Sequence, residues 1–167
     1  MLHIAPEICF IHRFEALSTL DYITADLESP LAKVKMDIHQ MPFSDNEFDV
    51  AFCNHVMEHV DDDMQAMKEI LRVLKPGGWA IIQSPIYYER QTTLEDKTAV
   101  TPAQREKLHG QSDHLRTYGA DYPQRLRTAG FEVEEDRFVQ ELSAEEQQKY
   151  ALPLEEIIYV CHKKQKN

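Results

Sequence analysis

Two apolar runs joined by one amphipathic helix limit this chain to a narrow set of folds. Residues 48–54 (Phe-Asp-Val-Ala-Phe-Cys-Asn) and 79–84 (Trp-Ala-Ile-Ile-Gln-Ser) are nearly unbroken apolar stretches of strand length. That is the pattern of strands covered on both faces. Between them Met64, Met67, Ile70, Leu71 and Leu74 repeat at helical spacing behind Asp61, Asp62 and Asp63. Acids in that position favour the positive end of a helix dipole. Pro76 and Gly77 then predict the helix stop. Strand, helix and strand of this kind require a parallel sheet with helical crossovers.

The remaining elements extend the same scheme. Residues 1–4 read as a short opening strand, and Pro6 as a first-turn residue of a helix running to about Leu20. The face of that helix is Ile8, Phe10, Ile11, Phe14 and Leu17. A strand this short suggests that the full domain extends before Met1. Strands follow at 22–26 and 34–37, each ending in an acid, Asp26 and Asp37. After Pro85 a polar, aromatic stretch at 87–119 reads as a substrate or lid insert, with one helix opened by Thr101-Pro102-Ala103-Gln104. A helix from Asp121 to Gly130, a strand at 131–138, a short helix capped by Ser143, and a strand at 157–161 complete a single domain over 1–167.

Net charge is −11, which argues against nucleic acid or an anionic membrane as the main partner. Cys9, Cys53 and Cys161 are odd in number, far apart and set in apolar runs. They read as buried free thiols in a reducing compartment. No apolar run approaches the roughly 20 residues of a membrane span, and the start lacks a signal-peptide pattern. A cytoplasmic location is expected.

The order of elements, with Asp26, Asp37, Phe48-Asp49 and Lys75-Pro76-Gly77-Gly78, resembles class I S-adenosylmethionine-dependent methyltransferases of the type 11 kind, shortened at the N-terminus. The resemblance implies an α/β fold: a Rossmann-like, mostly parallel sheet with helices on both faces and an antiparallel strand near the C-terminus, here 157–161 against 131–138. It implies S-adenosyl-L-methionine as cofactor and an unidentified, small-molecule acceptor, and it leaves room for a homodimer. Asp26 stands at the ribose-binding position, and Asp37 and Ile38 at the adenine. A carboxylate suits vicinal hydroxyls; strand ends also favour Asp simply because it starts turns. Asn54, His55 and Val56 line the methionine end and the reaction centre, with His55 a candidate catalytic group.

The family's glycine-rich first loop is replaced here by His3-Ile4-Ala5-Pro6-Glu7-Ile8-Cys9. Ala5 and Glu7 are therefore the cofactor-facing residues of an atypical loop, and a catalytically inactive binding or regulatory protein is the alternative reading. His55-Val56-Met57-Glu58-His59 matches H-x-x-E-H, the pattern of inverted zincins. A zinc hydrolase using His55, Glu58 and His59 is a remote alternative, because the motif directly follows a strand; no metal is expected. Asp113 to Gly119 packs an acid, a base, a cation and a phenol into seven residues. His114 is the candidate general base, and Arg116 and Tyr118, with Tyr87 and Arg90, are candidate acceptor-binding residues. The alternative is a salt-bridged surface loop.

Overall fold

The computed structural model describes residues 1–165. Its main sheet contains β1 (Leu2–Ile4), β2 (Ile23–Asp26), β3 (Val34–Lys35), β4 (Phe48–Asn54), β5 (Leu74–Gln83), β8 (Glu132–Asp136) and β9 (Ile158–His162). The strand order is β3-β2-β1-β4-β5-β9-β8. The pairs β1–β2, β1–β4, β2–β3 and β4–β5 are parallel, while β9 runs antiparallel to both neighbours. The expected antiparallel strand is present, with Val133 opposite Cys161. Strand order reverses at β1, so the carboxyl ends of β1, β2 and β4 lie side by side, the usual place for a ligand crevice in such sheets.

Each face of the sheet has its own cover. Ala51, Cys53, Ala80, Ile82 and Cys161 belong to the core with α2 (Asp63–Val73) and α4 (Tyr122–Ala129). Met67, Ile70 and Leu126 are fully buried there. Tyr118, Tyr122 and Tyr159 stack edge to face, with centroids 4.6 and 5.2 Å apart. On the opposite face α1 (Ile8–Glu15) lays Phe10 and Phe14 against His3 and Phe52. Beyond α1, Trp79, Ile81 and Ile158 line an open apolar cleft of about 780 Å³.

Several local expectations change. Helix α1 stops at Glu15 rather than near Leu20, and Ile8 and Leu17 are exposed. Ile11, Phe10 and Phe14 already fill the available face. Cys9 is exposed on this helix; Cys53 and Cys161 are buried as expected. Helix α2 ends at Val73, before Pro76 and Gly77, because Leu74 is already extended (ψ 141) and pairs with Phe48. Lys75 to Gly78 therefore form an irregularity inside β5, where the register shifts, rather than a helix cap. Gly77 takes φ 80 there, and Gly78 sits so close to the backbone carbonyls of Asp49 and Lys75 that a Cβ would come within 2.9 and 3.0 Å of them. Within the insert, β6 (Leu94–Glu95) and β7 (Arg116–Thr117) form an antiparallel ribbon that the sequence pattern did not announce. The helix predicted there is α3 (Pro102–His109), with the Thr101–Gln104 capping box in place. After β8 come α5 (Phe138–Glu141) and α6 (Ala144–Lys149), the latter with the Ser143 cap.

Replacing Gly78 with Ala is expected to lower stability by about 1–3 kcal/mol, the usual cost of overpacking against fixed backbone. Urea denaturation measures this; an unchanged midpoint would show that the turn yields freely.

Candidate active site

A cleft of about 330 Å³ opens at the carboxyl ends of β1 to β4. Ile4 and Ala5 come from β1 and its turn, Asp26 and Leu27 from β2, Met36 to His39 from the segment after β3, and Val56 and His59 to Asp61 from the segment after β4. Met36 and Ile38 are buried, so the cleft has an apolar floor between two carboxylates. Of the sequence-predicted residues, Ala5, Asp26, Asp37, Ile38 and Val56 line it. Leu27, Met36, His39, His59, Val60 and Asp61 line it too. Sequence reasoning named His59 only as a possible metal ligand and missed the others, although each lies within a few positions of a residue it named.

Both carboxylates are partly engaged. Asp26 Oδ1 accepts hydrogen bonds from the backbone N–H groups of Glu28 and Ser29 at 2.7 and 2.6 Å. Asp37 Oδ1 accepts from the His39 backbone N–H at 2.9 Å and pairs with its ring at 2.7 Å. These bonds hold the Asp37 carboxyl below the usual range. Each acid thus stiffens its own turn through one oxygen; among the described residues no hydrogen bond engages Oδ2 of either.

The turn after β1 is strained where a glycine would be at ease. Ala5 has φ 51, while its N–H donates to Ala25 at 3.0 Å. A non-glycine residue in this region costs on the order of 1 kcal/mol. Glu7 does not line the cleft. Its carboxylate pairs with the His3 ring and accepts from Asn54 Nδ2 at 2.8 Å, bridging the ends of β1 and β4. Asn54 Oδ1 is buried and has no hydrogen-bond partner among the described residues. An orphaned acceptor of this kind calls for a donor.

Residues 55–61 form turns rather than a helix, since α2 begins only at Asp63. His55 has φ 54 and a largely exposed side chain, and its Nδ1 lies 3.4 Å from Glu58 Oε1. Glu58 is buried, and its Oε2 accepts from Ser84 Oγ at 2.9 Å. Burial opposes ionisation of Glu58, yet hydrogen bonds from His55, its own backbone and Ser84, together with the charge of His59, hold it below the usual carboxylate range. The same bond raises His55. His114 is buried beside His59, ring centroids 4.7 Å apart, and burial with the neighbouring His59 lowers its pKa.

Two expected acceptor-binding residues serve the fold instead. Arg116 is 3% exposed, and its guanidinium donates to the carbonyls of Met57, Val60 and Asp61 and to Glu95. Tyr118 is fully buried and donates to Asp63 Oδ2 at 2.8 Å. Both side chains direct their recorded hydrogen bonds into the fold rather than toward the cleft. Tyr87 and Arg90 line a separate, open depression with Leu108, His109 and Thr117. Among the described residues no helix is long and apolar enough to cross a membrane.

Residues 13–82 match a family model described as "Methyltransferase domain". The sterol 4-C-methyltransferase strm-1 of Caenorhabditis elegans is 45% identical over 49 residues, 29% of this chain and 15% of that protein. The chain spans only 13% to 27% of the curated relatives it matches. An S-adenosylmethionine-dependent methyltransferase from Mesorhizobium loti superposes with TM-score 0.59 at 15% identity, covering 96% of this chain and 88% of that one. A Burkholderia thailandensis 1,6-didemethyltoxoflavin-N1-methyltransferase, solved with S-adenosylhomocysteine, gives TM-score 0.62 at 13% identity over 98% of this chain and 70% of that one. The chain has the fold of the class I methyltransferases.

Substituting Arg116 with Lys is expected to cost at least about 2 kcal/mol, because carbonyls in the 57–61 turn lose a buried donor; chemical denaturation checks it. The Glu58–His55 pair sets a pH window. A depressed carboxyl contributes stability above its ordinary value of 4.5, lost as pH falls through the folded value. A raised imidazole contributes below its ordinary 6.5, lost as pH rises through the folded value. The pair therefore contributes most between about 4.5 and 6.5, and Glu58→Gln should flatten the stability–pH curve on both sides of that window.

Proposed function

We propose that this chain binds S-adenosyl-L-methionine in the cleft at the ends of β1 to β4 and transfers its methyl group to a small-molecule acceptor. The observation that carries the reading is the pairing of Asp26 with Asp37 across the apolar floor of Met36, Ile38 and Val56. Two carboxylates and an apolar lining in one cleft suit a nucleoside, which offers vicinal hydroxyls at one end and an amino-bearing ring at the other.

In this reading Asp26 Oδ2 accepts from the ribose, Asp37 Oδ2 from the adenine amino group, and Ile38 packs on the ring with Ala5 and Val56. Asn54 Oδ1, lacking a donor, and the Glu7 carboxylate suit the ammonium of the methionine end. The cofactor supplies a methyl on a positive sulfur, so the protein's own task is alignment and proton removal. His114, kept neutral by burial, is suited to take a proton from an acceptor hydroxyl or amine. His55, paired with Glu58, is a second proton acceptor at the mouth. Tyr87 and Arg90 stand at the outer approach, where an acceptor would first meet the protein.

A binding protein without catalysis is the second reading. Glu7 favours it, because its bridge to His3 and Asn54 occupies the turn where this family places glycine. Binding of S-adenosylhomocysteine without methyl transfer to any of a panel of hydroxyl and amine acceptors would support that reading.

Calorimetric titration with S-adenosylhomocysteine tests the cleft. Asp26→Ala is expected to weaken binding about tenfold or more, as loss of a hydrogen bond to a charged group does. Asp26→Asn retains the turn bonds through its amide oxygen and separates ribose recognition from loop collapse. An absence of binding by the unmodified chain would overturn the proposal.

A further inference from the structure

Glu58, His59 and His114 converge on one point although they are not bonded to one another. One ligand atom from each lies within 4.8 Å of the others. Glu58 Oε1 is 4.0 Å from His59 Nε2, too far for a hydrogen bond. His114 is 8% exposed, and neither of its ring nitrogens makes a hydrogen bond among the described residues. A buried imidazole with no hydrogen-bond partner, facing a carboxylate and a second imidazole, calls for a partner between them.

The surroundings orient these three groups. Glu58 Oε2 accepts from Ser84 Oγ at 2.9 Å, and Oε1 faces His55 Nδ1 at 3.4 Å and His59 Nε2 at 4.0 Å. His59 presents Nδ1 to Asp113 Oδ2 at 3.4 Å and Nε2 to Glu58. A carboxylate behind a histidine, fixing which nitrogen points inward, is the outer-shell arrangement of histidine metal ligands. The backbone reinforces it, because Leu115 N–H donates to the Glu58 carbonyl at 2.8 Å and ties the His114 segment to the turn.

We propose that Glu58, His59 and His114 form a site for a divalent transition-metal ion, with one carboxylate and two imidazole ligands at the edge of the cleft. Two nitrogens and one oxygen suit Zn²⁺, Co²⁺ or Fe²⁺ rather than Mg²⁺ or Ca²⁺, which prefer all-oxygen sites. Metal–ligand bonds of about 2.0–2.2 Å require ligand atoms roughly 3.3 Å apart, so the side chains close by about an ångström as the ion enters. The set differs from the one the H-x-x-E-H pattern names. Residues 55–59 are not helical, His55 stands 66% exposed, and His114, far away in sequence, takes its place. An ion here and a proton-accepting His114 exclude each other, because a coordinated imidazole has no free lone pair. Cofactor binding between Asp26 and Asp37 does not depend on the ion, so titration with S-adenosylhomocysteine and titration with metal succeed or fail separately.

The test uses the full chain stripped of metal and titrated with ZnCl₂ by calorimetry, and with CoCl₂ by visible absorption. One ion per chain and Co²⁺ d–d bands are expected. Glu58→Gln and His114→Asn should each weaken binding about tenfold or more, while His55→Ala leaves the stoichiometry at one. Loss of the site in His55→Ala with retention in His114→Asn would overturn the assignment, as would the absence of stoichiometric binding by the unmodified protein. Should the variants fold poorly, carbethoxylation of the unmodified protein decides: Zn²⁺ protects His59 and His114 but not exposed His12. Equal modification with and without Zn²⁺ overturns the site.

Discussion

The turn after β4 has no helix of its own to satisfy its carbonyls, and one buried guanidinium does that work from across the molecule. Arg116 donates to Met57, Val60 and Asp61 while its Nε bonds Glu95 at 2.8 Å. A buried charge needs an ionic partner and hydrogen bonds, and this one has Glu95 and three carbonyls of the very segment that must stay irregular. The insert is thereby part of the site's foundation. Its β6–β7 ribbon delivers Arg116 and Glu95, and Arg125 on α4 links Glu95 to Asp63 at the start of α2. Ribbon, helix and turn hold each other in place, so the positions of Glu58, His59 and Val56 depend on residues some 55 to 60 positions away.

Much of the framework was legible because it rests on local patterns. The unbroken apolar runs at β4 and β5 declared doubly covered strands, and the acids ending β2 and the following β3 segment marked the cleft. Capping boxes at Thr101 and Ser143 placed two helix starts correctly. Failures cluster where tertiary contacts override local signals. Pro76-Gly77 looks like a helix stop, yet pairing of Leu74 with Phe48 draws the chain out of the helix first. Arg116 and Tyr118 looked like ligand-binding residues because cations and phenols beside a histidine usually are. Only the fold reveals that their partners are the turn after β4 and buried Asp63. The ribbon of two-residue strands carries no periodic signal at all.

The first turn shows how a left-handed backbone is held without glycine. Glycine usually supplies a left-handed backbone there at little cost. Here Ala5 takes φ 51, held by its hydrogen bond to Ala25 and by the His3–Glu7–Asn54 bridge behind it. His55 repeats the device at the end of β4, with φ 54 and an N–H bonded to Gln83 at 2.8 Å. Two strained residues thus flank the crevice between β1 and β4. Strain of this sort persists only where neighbours over-determine the backbone, and it gathers at ligand sites more than elsewhere.

Glu7 and Asn54 set the polarity between the ends of β1 and β4, where they line the open cleft beside α1 rather than the one that holds Asp26 and Asp37. Glu7 contributes a carboxylate that already shares its charge with His3, and Asn54 contributes a buried oxygen with no donor. Both are acceptors, so the mouth between β1 and β4 favours a positively charged or N–H-bearing group over an anion. A glycine-rich turn presents backbone N–H donors and selects the opposite charge. Under the proposed function the replacement favours a cation at this end, beside but not within the apolar slot between Asp26 and Asp37. A ligand that carries an ammonium toward β4 satisfies both halves, whereas one that leads with a carboxylate is opposed by Glu7. Under the proposed function the unusual loop is a change of selectivity beside the cleft rather than a damaged copy of a glycine-rich turn.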